Sequence, residues 1–274
     1  MNEHEIVLEA VREAGALLRA EAERKGGPRG QGTKAPVDEE IEALLIARLS
    51  AAFPDDAIIA EETGGRPGRS GRAFVVDPHD GTQDFLQGRR ETSVSVAQVE
   101  GGVFLQAAVF APCATDLTGD SGIMVSWTQG EGIRVDGSLI EPAACPGVLT
   151  RQSVALISAN VRASSFALNE GFLAPASVLR CASVATRFAL VAAGRADAAL
   201  TVNNPLADWD FAGGQALLKA VGGDVVGPGG APVRWEGVRS SPQWLQGYFA
   251  ARSVGLAADV AARYGSLTGV TRSG

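Results

Sequence analysis

The stretch Phe74-Val75-Val76-Asp77-Pro78-His79-Asp80-Gly81-Thr82 decides how this chain is read. Its first three residues form a short apolar run, the pattern of a buried strand. That strand delivers the chain directly to two aspartates, a glycine and a threonine. A glycine after Asp80 lets backbone N–H groups come close to an oxyanion such as a phosphate, and Thr82 adds a hydroxyl.

Two further acidic clusters flank it in sequence. Glu61-Glu62 follows directly on the apolar run 57–60, and Asp208-Trp209-Asp210 opens a helix predicted for 211–221. Carboxylates gathered at buried element ends repel one another, so a bound cation is the natural compensation. Oxygen ligands without imidazole or thiolate favour Mg²⁺, Mn²⁺ or Ca²⁺ over Zn²⁺. The Asp-x-Asp-x-Asp-Gly loop of an EF-hand is absent from the sequence. Mg²⁺ typically combines a few carboxylates with waters and phosphate oxygens. The residues alone therefore point to a metal-assisted phosphate-ester hydrolase.

Composition narrows the alternatives. The chain has 274 residues, 24 Lys+Arg against 31 Asp+Glu, a formal charge of -7, and two histidines. An acidic chain with scattered arginines argues against a nucleic-acid binder. Arg66, Arg69 and Arg72 lie among Gly and Pro and read as a solvated loop. His4 falls in the N-terminal tail, where chain ends are usually poorly ordered. A triad or a His-rich zinc site would then rest on His79 alone. Cys113, Cys145 and Cys181 are widely spaced and form no C-x-x-C pair, which reads as reduced thiols in a cytoplasmic protein. The acidic N-terminus is not a secretory signal. No apolar run reaches the roughly 18 residues of a membrane helix, so no membrane partner is expected.

The remaining pattern is mixed α/β. Apolar spacing predicts helices over 5–23 and 38–52, the second capped by Asp38. Strands are predicted at 57–60, 74–76, 93–99, 103–110, 123–127 and 133–135. Glu100-Gly101-Gly102 would turn the third into the fourth as a hairpin. A Pro- and Ala-rich stretch at 141–147 marks a boundary between sub-domains 1–147 and 148–274. Beyond it, strands are predicted at 154–158, 178–180, 196–202 and 224–226. Helices are predicted at 184–193, ended by Gly194, at 211–221 and at 254–264. Trp127, Trp209, Trp235 and Trp244 read as core residues rather than a stacking platform.

These residues carry a resemblance. Asp77-Pro-His-Asp-Gly-Thr82 resembles the Asp-Pro-x-Asp-Gly-Thr signature of the inositol monophosphatase superfamily, and Glu61-Glu62 lies where that family has its Glu-Glu pair. Trp209-Asp210-Phe-Ala-Gly-Gly resembles its Trp-Asp-x-Ala-Gly motif, with Gly222-Gly223 following, and 38–54 matches its early helix. The resemblance runs from about residue 5 to about residue 250. It implies a layered αβαβα sandwich of two sub-domains with the site in their cleft, and a homodimer.

It also implies roles. Glu61, Asp77 and the backbone carbonyl of His79 would hold a first Mg²⁺. Asp77, Asp80 and Asp210 would hold a second, within a set of two or three ions that Mn²⁺ could replace. Glu61 and Thr82 would orient the attacking water, with Asp38 bonded to Thr82. Gly81 and Thr82 would receive the phosphate. Ser183, Arg187 and Asn203 would border the rest of the substrate, while Glu62 and Asp208 would support the ligands from behind. The His79 side chain, flanked by would-be ligands, reads as a non-ligand. Inhibition by Li⁺ is a further implication.

Departures bear on the substrate. Gln83-Asp84-Phe85 stands where inositol phosphatases usually carry Thr-Asn-Phe and bisphosphate nucleotidases Lys-Glu-Phe. Asn203-Asn204 replaces an acid that contacts inositol hydroxyls. The expected activity is Mg²⁺-dependent hydrolysis of a small phosphorylated metabolite, inositol monophosphate-like or a sugar or nucleotide phosphate. One alternative is a 3′(2′),5′-bisphosphate nucleotidase. Another, of a different class, is a regulatory or binding protein on a phosphatase-like scaffold.

Overall fold

The computed structural model describes residues 2–114, 117, 122–141, 144–227, 230–235 and 245–268, without the side chains of 163–164, 203–205, 245–247 and 267–268. Among these, the helices are α1 (Glu3–Ala22), α2 (Pro36–Ala52), α3 (Thr82–Leu86), α4 (Ala163–Leu173), α5 (Val184–Ala192), α6 (Asp208–Ala220) and α7 (Val254–Thr268). The strands are β1 (Ala57–Ala60), β2 (Arg72–Asp80), β3 (Ser93–Glu100), β4 (Val103–Ala111), β5 (Ile123–Thr128), β6 (Arg134–Val135), β7 (Ser138–Leu139), β8 (Val154–Ser158), β9 (Ser177–Cys181), β10 (Ala198–Leu206), β11 (Asp224–Val226) and β12 (Leu245–Ala251).

β1–β7 form one sheet in chain order, and the second sheet runs β11-β12-β10-β8-β9. The central strands β2 and β3 are buried on both faces. Along β2, Phe74 and Val76 pack under α1 and α2, in a cluster with Val11, Ile41 and Leu45. Ala73 and Val75 face the opposite way, toward Phe188 of α5 and Phe211 and Leu217 of α6. The α5–α6 pair thus fills the space between the sheets. The second sheet's outer face is covered by α4 and α7 through Phe172, Leu256 and Val260. The layering is αβαβα, as expected.

Several local expectations change. Asp38 is not the cap of α2. The helix begins two residues earlier with Pro36 in its first turn, and Asp38 sits at the third helical position, its carboxylate accepting the Ala35 N–H at 3.3 Å. His4 is not in a loose tail. Asn2 caps α1 in a reciprocal box with Glu5, and His4 is held in the first turn with Nδ1 2.8 Å from Gln106 Oε1. Burial then lowers the His4 pKa below the usual imidazole value. The helix α4 and the strand β12 carry no prediction above. Trp127 and Trp209 pack on the core cluster and Trp235 lies in it, whereas Trp244 lies outside the described residues. No helix among the described residues is long and apolar enough to cross a membrane.

Candidate functional site

The site begins with strand register. β1 pairs parallel to β2 with Ala60 beside Val76, so Glu61 leaves β1 next to where Asp77 lies on β2. In a regular strand, residues three apart face opposite sides. Here the β2–β3 ladder slips. Asp77 pairs with Ser95 and Asp80 with Ser93, so the β2 side carries one extra residue. The bulge turns Asp80 to the same face as Asp77. Pro78, lacking an N–H, sits within this irregular step without forfeiting a ladder bond.

The N-terminus of α6 brings Asp210 to that face. Oxygens of Asp77, Asp80 and Asp210 all lie within 4.8 Å of one another. Asp210 Oδ2 accepts the Ala207 N–H, which fixes it at the helix start. Asp80 Oδ2 accepts from Ser183 Oγ at 2.7 Å and from the Ala185 N–H at 2.6 Å, both at the start of α5. Asp77 Oδ1 accepts the His79 N–H at 2.9 Å, but Asp77 Oδ2 is buried without a hydrogen-bond partner among the described residues.

Electrostatics agree with the geometry. Burial and the Glu61 charge push the Asp77 carboxyl well above the usual range. Burial and Asp80 do the same to Asp210. Asp80 is also raised by burial, against the pull of its Ser183 and Ala185 hydrogen bonds. Glu61 is exposed at the cleft mouth, yet enclosure by the cleft walls and the neighbouring Glu62 charge push it up to about 7. Four carboxylates that cannot all ionise comfortably, one with an orphaned oxygen, suit a hard divalent cation.

Gly81 follows Asp80 in the left-handed conformation (φ 99°) and starts α3. A Cβ there would stand 2.9 Å from Thr92 Cγ2, so glycine is what permits the tight turn. Thr82 Oγ lies 3.1 Å from Asp38 Oδ2 and 3.0 Å from the His79 carbonyl oxygen. The His79 ring points away from the aspartates, with Nδ1 2.6 Å from Asp38 Oδ1.

Other expected residues sit differently from one another. Ser183 is fully buried and caps α5, accepting the Thr186 N–H at 2.8 Å while donating to Asp80. Arg187 is buried, with its guanidinium bonded to the Cys181 and Ala182 carbonyls and to Thr201 Oγ. Both line or border the cleft from within the protein rather than reaching out of it. Glu62 is half-buried beside Glu61, and Asp208 is buried at the start of α6. Asn203 belongs to β10, but its side chain lies outside the described residues.

Two features escaped the sequence reading. Glu42 is fully buried and accepts the Glu62 N–H (2.7 Å), the Thr63 N–H (2.8 Å) and the Thr63 hydroxyl (2.6 Å), so it shapes the turn that presents Glu61. The signal was present: Glu42 is four residues after Asp38 and shares its helix face. The cleft, about 610 Å³, is also lined by Asn160, Ser165, Asn169 and Thr201. Asn160 Nδ2 donates to Asp84 Oδ2 at 2.8 Å, joining the strand β8 side to α3.

The chain is similar to known proteins. A family model described as "Inositol monophosphatase family" matches residues 3–261. A Nus factor SuhB of Xylella fastidiosa is 30% identical over 195 residues, 69% of this chain and 66% of its own length. An inositol-1-monophosphatase of Bacillus subtilis is 28% identical over 232 residues, 80% of this chain and 83% of its own. The structure of inositol monophosphatase II from Staphylococcus aureus superposes with a TM-score of 0.76 at 22% identity, covering 98% of this chain and 95% of that one. Solved structures of SaIMPase-II, at 21% and 23% identity, carry bound inositol monophosphate or 2′AMP.

Proposed function

The chain belongs to the inositol monophosphatase family, and from that premise we propose that it is a divalent-metal-dependent phosphomonoesterase acting on a small phosphorylated metabolite. The observation that carries the reading is the Asp77–Asp80–Asp210 cluster with its unpartnered Asp77 oxygen. Glu61, Asp77 and the His79 carbonyl would hold one cation, and Asp77, Asp80 and Asp210 another. Mg²⁺ suits this oxygen set best, and Mn²⁺ is compatible. Bound cations supply Lewis acidity, which makes water a competent nucleophile at neutral pH and offsets phosphoryl charge.

The chain's own residues do the positioning. Thr82, donating to Asp38, keeps its oxygen lone pairs to accept a proton-bearing partner in the cleft. Glu61 lines the same cleft and offers a carboxylate suited to orient the attacking water and take up its proton. The tight turn at Gly81 exposes backbone N–H groups to a phosphate at the start of α3.

Neutral hydrogen-bonding groups, Asn160, Ser165, Asn169 and Thr201, line part of the cleft. Such a lining favours a hydroxyl-rich leaving group, inositol monophosphate-like or a sugar phosphate. The bound ligands of SaIMPase-II support a small phosphate ester. A 3′(2′),5′-bisphosphate nucleotidase is the alternative, with Arg187 or Arg162 toward a second phosphate. The same reading includes sub-domains divided near residue 147, a homodimer, inhibition by Li⁺ and a cytoplasmic location.

A second reading has its own observation. Relatives of this chain are named Nus factor SuhB, which favours a regulatory or binding role on a phosphatase-like scaffold.

Phosphate release decides between them. The panel is inositol phosphates, 3′-phosphoadenosine 5′-phosphate, fructose 1,6-bisphosphate and histidinol phosphate, with and without Mg²⁺ and Li⁺. Mg²⁺-dependent, Li⁺-sensitive release from one class is expected. Protein that binds Mg²⁺ but releases no phosphate from any substrate sinks the enzyme reading and favours the binding role.

A further inference from the structure

The His79 side chain is not used by the mechanism above, although it is nearly fully buried beside the site. It occupies the x of Asp-Pro-x-Asp-Gly-Thr and points to the face of β2 opposite the aspartates, into the layer of α2. Three contacts fix it there. Nδ1 lies 2.6 Å from Asp38 Oδ1, and Nε2 lies 3.1 Å from Thr92 Oγ. The ring meets Phe85 edge-on, with centroids 4.6 Å apart at 86°.

Asp38 is itself 2% exposed, and its two oxygens are divided. Oδ1 faces the imidazole, while Oδ2 faces Thr82 Oγ at 3.1 Å and the Ala35 N–H at 3.3 Å. Thr82 has one hydroxyl proton and two acceptors within reach, Asp38 Oδ2 and the His79 carbonyl at 3.0 Å. Which acceptor takes that proton depends on where the Asp38 carboxylate is held.

We infer that His79 is a positioning residue: its imidazole holds Asp38 so that the carboxylate, not the His79 carbonyl, receives the Thr82 hydroxyl proton. A carboxylate is an acceptor only, so Nδ1 carries the proton in this pair. Nε2 meets the Thr92 hydroxyl on the other side of the ring. Every polar atom of the ring has a partner, and Phe85 packs edge-on against it. Donation therefore converges on Asp38, from Nδ1 at Oδ1 and from the Thr82 hydroxyl, which faces the cleft, at Oδ2. It also leaves the His79 carbonyl unshared, which is what a cation ligand needs. In its kinetic arm the inference rests on the phosphatase reading.

Two measurements test it. The chain has two histidines, so a His4→Gln background leaves one imidazole for ¹⁵N NMR of the metal-free protein. A protonated, pyrrole-type Nδ1 is expected, and Asp38→Asn should shift its resonance. An unprotonated Nδ1 overturns the inference. In the kinetic arm, His79→Leu should lower kcat roughly tenfold to a hundredfold with KM changed less than about threefold. His79→Asn, whose amide nitrogen reaches near the Nδ1 position, should restore most of the loss. In an Asp38→Asn background, His79→Leu should cost little more, since both act through one carboxylate. Full kcat in His79→Leu, or losses that multiply with Asp38→Asn, overturn it. Should the wild-type protein release no phosphate, the phosphatase reading fails and the ¹⁵N result alone decides the positioning.

Discussion

The backbone N–H of Ala185 donates to Asp80 Oδ2 at 2.6 Å, so the start of α5 grips a carboxylate presented by β2. Ser183 Oγ, the cap of the same helix, grips the same oxygen at 2.7 Å. An anion at a helix N-terminus is favourable, because unsatisfied N–H groups point at it. This clamp ties β2 of one sheet to the helix that follows β9 of the other, through a charge.

Ser183→Ala should therefore do two things. Loss of the cap should cost about 1 kcal/mol of stability, read from a urea midpoint. Loosening Asp80 should weaken Mg²⁺ activation about tenfold, read from the metal dependence of phosphate release. An unchanged metal requirement would separate the clamp from the metal site.

The raised carboxyls set a pH dependence for the metal-free protein. In the unfolded chain these acids titrate near the usual 4–4.5. In the folded chain Glu61 titrates at about 7, and Asp77, Asp80 and Asp210 lie above their ordinary value. The folded state thus holds protons more tightly, so this cluster costs nothing below the unfolded pKa. Its stability penalty grows as pH rises and is complete for Glu61 above about 7. A cation removes the penalty, so the rise in Tm on adding Mg²⁺ should be larger at pH 8 than at pH 5.5. Equal rises at both pH values would mean the cation binds elsewhere.

Asp210→Asn removes one of the like charges while an amide oxygen can still accept the Ala207 N–H. Turnover should nearly vanish, and the metal-free Tm at pH 8 should rise by about 2–4 °C. Active, Mg²⁺-independent protein would contradict the site.

Arg187 behaves as a buried strut. Its guanidinium bonds to the Cys181 and Ala182 carbonyls and Thr201, and burial lowers its pKa from the usual arginine value. Arg187→Ala should cost about 2–4 kcal/mol in denaturant unfolding, by leaving carbonyls unpaired and a cavity behind. A variant that keeps its stability but loses affinity for bisphosphorylated substrates would instead make Arg187 a substrate contact.

Gly214 sits where α6 crosses α5. A Cβ there would stand 2.5 Å from Phe188 Cβ. Gly214→Ala should destabilise by about 1–3 kcal/mol, because neither helix can shift without moving the aspartate at the start of α6. Thermal unfolding checks it directly.

Much of this architecture was readable from local chemistry. The α1 and α2 stripes, the hairpin at Gly101-Gly102 and the three acidic clusters each declare themselves within a few residues. What was not readable has a physical cause. In α4, Leu168 is 42% exposed while Asn169 is 1% exposed, so the apolar period that marks a helix is inverted where the helix borders the cleft. His4 looked like tail because its partner, Gln106, is remote in sequence.

Sequence by itself determined which acids are the candidates, since acids directly after apolar strands or at a helix start have few other uses, and it determined that strands and helices alternate. Tertiary structure decided how those residues meet. A single-residue slip between β2 and β3 turns Asp80 to the Asp77 face, and the packing of α6 between the sheets brings Asp210 within 4.8 Å. The same slip sends His79 to the opposite face, against Asp38. Register and packing are long-range properties, set by which faces must be buried together, and no window of local sequence contains them.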